Sequence, residues 1–326
     1  MANIKEQCKN NEIRRLKYSF SQIRNFFISK KVINNFEKYI LCRNYDKEEK
    51  IIKFYEENLN KIIKNPYLEH FYNIMINNFN KEDLVLLNYN IKTLVINYSS
   101  LKFESFNAHA KIKGIYNSEH NIIKISKDYI DESIYHEFLH MASSYFTKDR
   151  IDHSGLSQTR ITKNDFINIG STLNEGYTEV LNKRYFQDEL YTSVYPFESF
   201  ISELIEEIIG KRKMEKMYLS ADLNGFINEL SKYDDKENVI DLIKSLDILY
   251  CDLPNDLKYE NLYSIFNTIV NIAVNESYNN DREKLLRILN NIPKKVKTND
   301  CEFNFDVQEM TNKAFDKKKE RILKKY

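Results

Sequence analysis

The chain has 326 residues and a net charge of +1, with 42% hydrophobic and 30% charged residues. That balance fits a globular protein and excludes a disordered segment or a nucleic-acid binder that works through bulk positive charge. Six glycines and four prolines are far below ordinary usage, so long helices and few tight turns are expected.

Met1 to Phe20 mixes charged and apolar residues without a continuous apolar run, so no secretory signal is read there. No uncharged apolar stretch approaches a membrane span. Cys8, Cys42, Cys251 and Cys301 are scattered and form no C-x-x-C pair. A soluble, reduced, cytoplasmic protein is expected, with no nucleic-acid partner. An unconventional export route would leave no mark of this kind. The 23 tyrosines and 20 phenylalanines are read as core and codon bias, not as stacking platforms for bases.

Ile51, Tyr55, Leu59 and Ile62 recur at helical spacing. Pro66 fits the first turn of another helix, with Leu68, Phe71 and Ile74 behind it. Residues 1–83 thus read as an N-terminal helical region. The pattern then changes. Thr93 to Tyr98 is β-prone, Lys111 to Tyr116 alternates, and Asn121 to Ser126 follows a turn-like Asn117-Ser118-Glu119. This predicts a small sheet ending in a hairpin. A helix is predicted from Asp128 or Asp131 to about Phe146, burying Ile134, Phe138, Met141 and Tyr145. Thr147 to Gly170 reads as a polar loop. A second helix starts at Ser171 or Thr172 and runs through Leu181.

From residue 197 to 326 the pattern is helical again. Ile201, Leu204, Ile205, Ile208 and Ile209 form one stripe, and helices are predicted over 237–248, 259–278 and 281–291. Pro293 to Lys297 reads as a solvated basic loop, and Lys317 to Tyr326 as a fraying helix end. The fold class is α+β, predominantly α, with a core over 84–196 between two helical regions. The scarce residues mark that core. Four of six glycines (Gly114, Gly155, Gly170, Gly176) and five of six histidines (His109, His120, His136, His140, His153) fall between 109 and 176.

Within the first core helix stands His136-Glu137-Phe138-Leu139-His140, an H-E-x-x-H motif. Histidines four apart project from one helix face and can share one metal ion, and Glu137 between them can reach a water on it. From composition, the motif should arise by chance only about 0.016 times in such a chain. A catalytic zinc needs a third protein ligand and an open position. Glu175 is the leading candidate, in Leu173-Asn174-Glu175-Gly176-Tyr177-Thr178-Glu179. Glu179, one turn on, faces the same way and can orient a ligand histidine. Two other readings compete: Glu175 as a capping-box partner of Thr172, and His153 as the third ligand.

These residues resemble the gluzincin metallopeptidases, with a thermolysin-like active-site core. The resemblance covers about 107–185. It implies a zincin-like fold in which His136, His140 and Glu175 bind one zinc ion. Glu137 would be the general base and acid, with Asn174 and Glu179 supporting the ligands. It also implies a peptide substrate held in extended form along the Lys111–Ser126 edge strand. The family's toxin branch has a histidine where this chain has Ser143, and an Arg-x-x-Tyr that is missing here. The metzincin pattern fails at Ser143 and Phe146. The expected activity is zinc-dependent peptide hydrolysis, with His153 or Tyr177 as candidate oxyanion donors. The alternative is a zincin-like binding or regulatory module with a structural zinc.

Overall fold

A computed structural model describes residues 65–99, 113–147, 150–161, 166–187, 195–249, 254–277, 281–297 and 302–323. The helix expected over Ile51–Ile62 and all four cysteines lie outside these residues. Asn65 opens the first described helix, α1 (Pro66–Asn78). Its carboxamide oxygen accepts the Tyr67 and Leu68 amides, and Pro66 sits where no amide is required. Leu68, Phe71 and Met75 form the buried face, while Ile74 is only half-buried. Helix α2 (Val85–Ile91) leads into strand β1 (Val95–Ser99).

The β-prone segments assemble into a three-stranded sheet in the order β1–β3–β2, with β2 at Gly114–Asn117 and β3 at Ile122–Ser126. β1 runs parallel to β3. β2 is antiparallel to it, with Asn117 opposite Ile122, which is the hairpin read from the sequence. Among the described residues β2 is an outer strand. Ile123 and Ile125 point into the core.

A short turn, Lys127–Tyr129, leads into α3 (Ile130–Ala142), which packs against β2 and β3. Ile134, Phe138, Met141 and Tyr145 are buried, but Tyr145 lies on a strand: the helix ends four residues before Phe146. Side chains satisfy its last carbonyls. Asn90 Nδ2 donates to Met141 O at 2.6 Å and Ser144 O at 2.8 Å, and Ser143 Oγ donates back to Leu139 O.

The stretch read as a polar loop is a second sheet. Strands β4 (Ser144–Phe146), β5 (Ile151–Ser154), β6 (Ser157–Ile161) and β7 (Phe166–Ile169) pair in chain order, all antiparallel. Its central strands β5 and β6 are short and polar, so they carry no apolar alternation. The turn between β5 and β6 is Gly155-Leu156, with Gly155 at φ +51°. A Cβ on Gly155 would lie 2.0 Å from Asn174 Oδ1, so both the dihedral and the space require glycine.

Helix α4 (Ser171–Phe186) follows and packs on α5 (Pro196–Ile209), whose predicted stripe is fully buried. Then come α6 (Lys211–Leu219), α7 (Leu223–Leu230), α8 (Lys236–Ile248), α9 (Asn255–Ser277) and α10 (Arg282–Asn291). The basic loop expected near Pro293 is partly a strand, β8 (Lys295–Lys297), paired with β9 (Glu302–Asn304). Helix α11 (Val307–Leu323) stays regular through its basic end, where Arg321 bonds Asp234 and Asp235. One cluster of buried side chains extends from Leu68 to Ala314 and joins the core to the C-terminal helices. The fold is α+β and mostly helical. No helix among the described residues is long and apolar enough to cross a membrane.

Candidate metal centre and cleft

Helices α3 and α4 pack against each other, and their facing turns carry the candidate ligands. His136 Nε2 lies 3.0 Å from both His140 Nε2 and Glu175 Oε2, and His140 Nε2 lies 3.4 Å from Glu175 Oε2. A tetrahedral zinc with bonds of 2.0–2.1 Å separates its donors by about 3.3 Å. The three groups therefore fit one such ion. By proximity they could hold a metal ion, each donor lying within 4.8 Å of the others. Glu175 projects from the first turns of α4 and remains partly open, whereas both histidines are nearly buried.

The surroundings orient these groups. His136 Nδ1 donates to Glu179 Oε2 at 3.2 Å, and Glu179 is buried at 1% exposure. The Asn174 amide lies 3.3 Å from His140 Nδ1, and its oxygen accepts the Leu156 amide at 3.1 Å, which ties α4 to the β5–β6 turn. Burial opposes charge on His136, but hydrogen bonds to Glu175 and Glu179 outweigh it and lift its pKa to about 10. Burial also works against the Glu175 carboxylate, yet the two imidazoles hold it well below the usual carboxylate range. A bound cation would take the place of the His136 proton.

Glu137 lies on the other side of the motif, against the edge strand. Burial pushes its pKa up, opposed by the two histidines and by the Tyr116 amide. A Cβ on Gly114 would sit 3.0 Å from Glu137 Cγ, so the strand backbone passes directly over this carboxylate. Glu137, the three ligand candidates and Gly114 to Tyr116 border a common cleft of about 330 Å³.

The structure thus brings together His136, Glu137, His140, Asn174, Glu175 and Glu179. It separates the other two. His153 is not among the cleft residues; it stacks on Tyr145 with ring centres 4.4 Å apart, away from the three ligand candidates. Tyr177 is fully buried and donates to Glu206 Oε2 at 2.5 Å, so its hydroxyl is committed elsewhere. The capping role considered for Glu175 belongs to Asp247 of α8. Its carboxylate accepts the Gly170 and Thr172 amides at 2.7 and 2.9 Å. Tyr195, which sequence reasoning missed among so many tyrosines, lines the cleft and stacks on His136 at 5.9 Å. Its only sequence signal is the Tyr-Pro step that opens α5.

The chain matches no protein-family model, no curated protein and no solved structure.

Proposed function

We propose that the chain is a zinc-dependent metallopeptidase of gluzincin type, built on a zincin-like core. One observation carries the reading: three donors spaced for a tetrahedral ion stand beside a buried carboxylate that borders an open cleft. Zinc held there would polarise the scissile carbonyl and make the attacking water acidic.

Glu137 accepts the proton of that water and returns it to the leaving amine. Its raised pKa suits a carboxyl that must hold a proton between the two steps. Glu179 keeps His136 oriented with its Nε2 toward the ligand point. β2, the outer strand among the described residues, would align an extended peptide by strand addition. Tyr195, at the cleft wall beside His136, supplies the hydroxyl that stabilises the developing oxyanion.

The test is Glu137→Gln, assayed with zinc present on a mixed peptide library. The expected loss in kcat is on the order of 10²–10⁴, with zinc content retained. Unchanged turnover would sink the reading. Chelation adds a second arm: removing a catalytic zinc abolishes turnover and leaves most of the fold standing, whereas a structural zinc takes the fold with it.

A further inference from the structure

We propose that the cleft wall built by β5, β6 and β7 is a pocket for a basic side chain, Lys or Arg, flanking the scissile bond. This rests on the peptidase reading and adds its substrate class. Strand register places the wall. Asp152 pairs with Thr159, and Thr159 with Asn168, so the three form one row across the sheet. Ser154 and Ser157 oppose each other two positions along, on the same face. All five line the cleft that contains Glu137. His153, between Asp152 and Ser154, faces the other way onto Tyr145.

The chemistry of this wall is one-sided. It presents a carboxylate, hydroxyls and a carboxamide, with Thr159 Oγ1 donating to Asn168 Oδ1 at 3.1 Å. Among the described residues, no Lys or Arg lines the cleft, and its carboxyl groups are those of Glu137, Asp152 and Glu175. An apolar substrate side chain would strip water from these oxygens without replacing the lost bonds. An acidic one would meet like charge. An ammonium or guanidinium carries only donors and the complementary charge. It has room in a cleft of about 330 Å³.

The experiment pairs turnover with binding. Zinc-loaded wild type, Asp152→Asn, Asp152→Lys and Asp152→Glu are assayed on a library varied at the positions flanking cleavage. Binding of one arginine peptide and its norleucine counterpart is measured on Glu137→Gln, with and without Asp152→Asn. Wild type is expected to favour Lys or Arg by about 10–100-fold in kcat/KM. Asp152→Asn should collapse that ratio, Asp152→Lys should turn it toward acidic residues, and Asp152→Glu should restore it. Cleavage with a preference indifferent to residue 152 overturns the pocket and leaves the peptidase reading intact. Binding of the arginine peptide that depends on Asp152, without cleavage of any peptide, keeps the pocket and overturns the peptidase reading. Neither cleavage nor selective binding overturns both.

Discussion

Asp247 Oδ1 accepts the Thr172 amide at 2.9 Å, so a residue 75 positions away caps the helix that carries Glu175. Its Oδ2 takes the Gly170 amide as well. Free amides at a helix start attract a carboxylate, and this one is delivered by α8 because α4 has no acid of its own before Glu175. Burial raises the Asp247 pKa, and the hydrogen bonds from the amides offset that desolvation only in part. Asp247→Ala should lower stability by about 1–2 kcal/mol in urea unfolding. If Glu175 is a zinc ligand, the substitution should also weaken zinc binding, since Glu175 sits in the turn that would fray. A normal unfolding midpoint together with normal zinc affinity would show that the cap is dispensable.

If the site holds zinc, Glu179 would act on it through His136. Its carboxylate fixes Nδ1 at 3.2 Å and so aims Nε2 at Glu175 and His140. Glu179→Gln keeps the shape and removes the charge. The expected result is a 10–100-fold loss of zinc affinity, read by competition with a chromophoric chelator. Glu175→Gln should cost more, because a ligand is lost. If the two substitutions proved equal, Glu179 would have to be counted among the ligands.

How much of this was readable in the residues follows from how local each signal is. The H-E-x-x-H helix, the hairpin of β2 and β3, and the glutamate helix all rest on patterns local in the chain, and the structure has all three. The polar sheet from β4 to β7 was missed because Ser157-Gln158-Thr159-Arg160 has no apolar alternation. The one available cue was Gly155, flanked by short strand-compatible segments. Asp247 and Tyr195 reach the site only through tertiary packing. Nothing in their own neighbourhoods distinguishes them from other acids and tyrosines.

Gly155 offers a sharp test of that packing. Its φ of +51° disfavours any Cβ, and an added methyl would meet Asn174 Oδ1 at 2.0 Å and the Tyr218 ring at 2.5 Å. Both neighbours are buried and fixed, Asn174 by Leu156 and Tyr218 by Thr178. Gly155→Ala should therefore cost about 2–4 kcal/mol, combining backbone strain with overpacking. Zinc affinity should fall too, because Asn174 precedes Glu175 and contacts His140. A loss below about 0.5 kcal/mol would mean that the turn relaxes freely, which a surface substitution does and this site should not.

Partly buried His153 is expected to make stability acid-sensitive, apart from His136, His140 and Glu175. Burial lowers its pKa to about 4, against roughly 6.5 in an unfolded chain. The folded state therefore holds it neutral while the unfolded state takes up a proton. Its contribution is intact above pH 6.5 and declines as pH falls through 6.5 toward 4. Because the ring is only partly buried, the loss between pH 6.5 and pH 5 is taken as about 1–2 kcal/mol. His153→Phe should preserve the stack on Tyr145 and remove that loss. Unfolding free energies at pH 7.5 and pH 5 provide the comparison. Wild type should weaken more on acidification than the variant, and equal sensitivity in both would assign the loss to other groups.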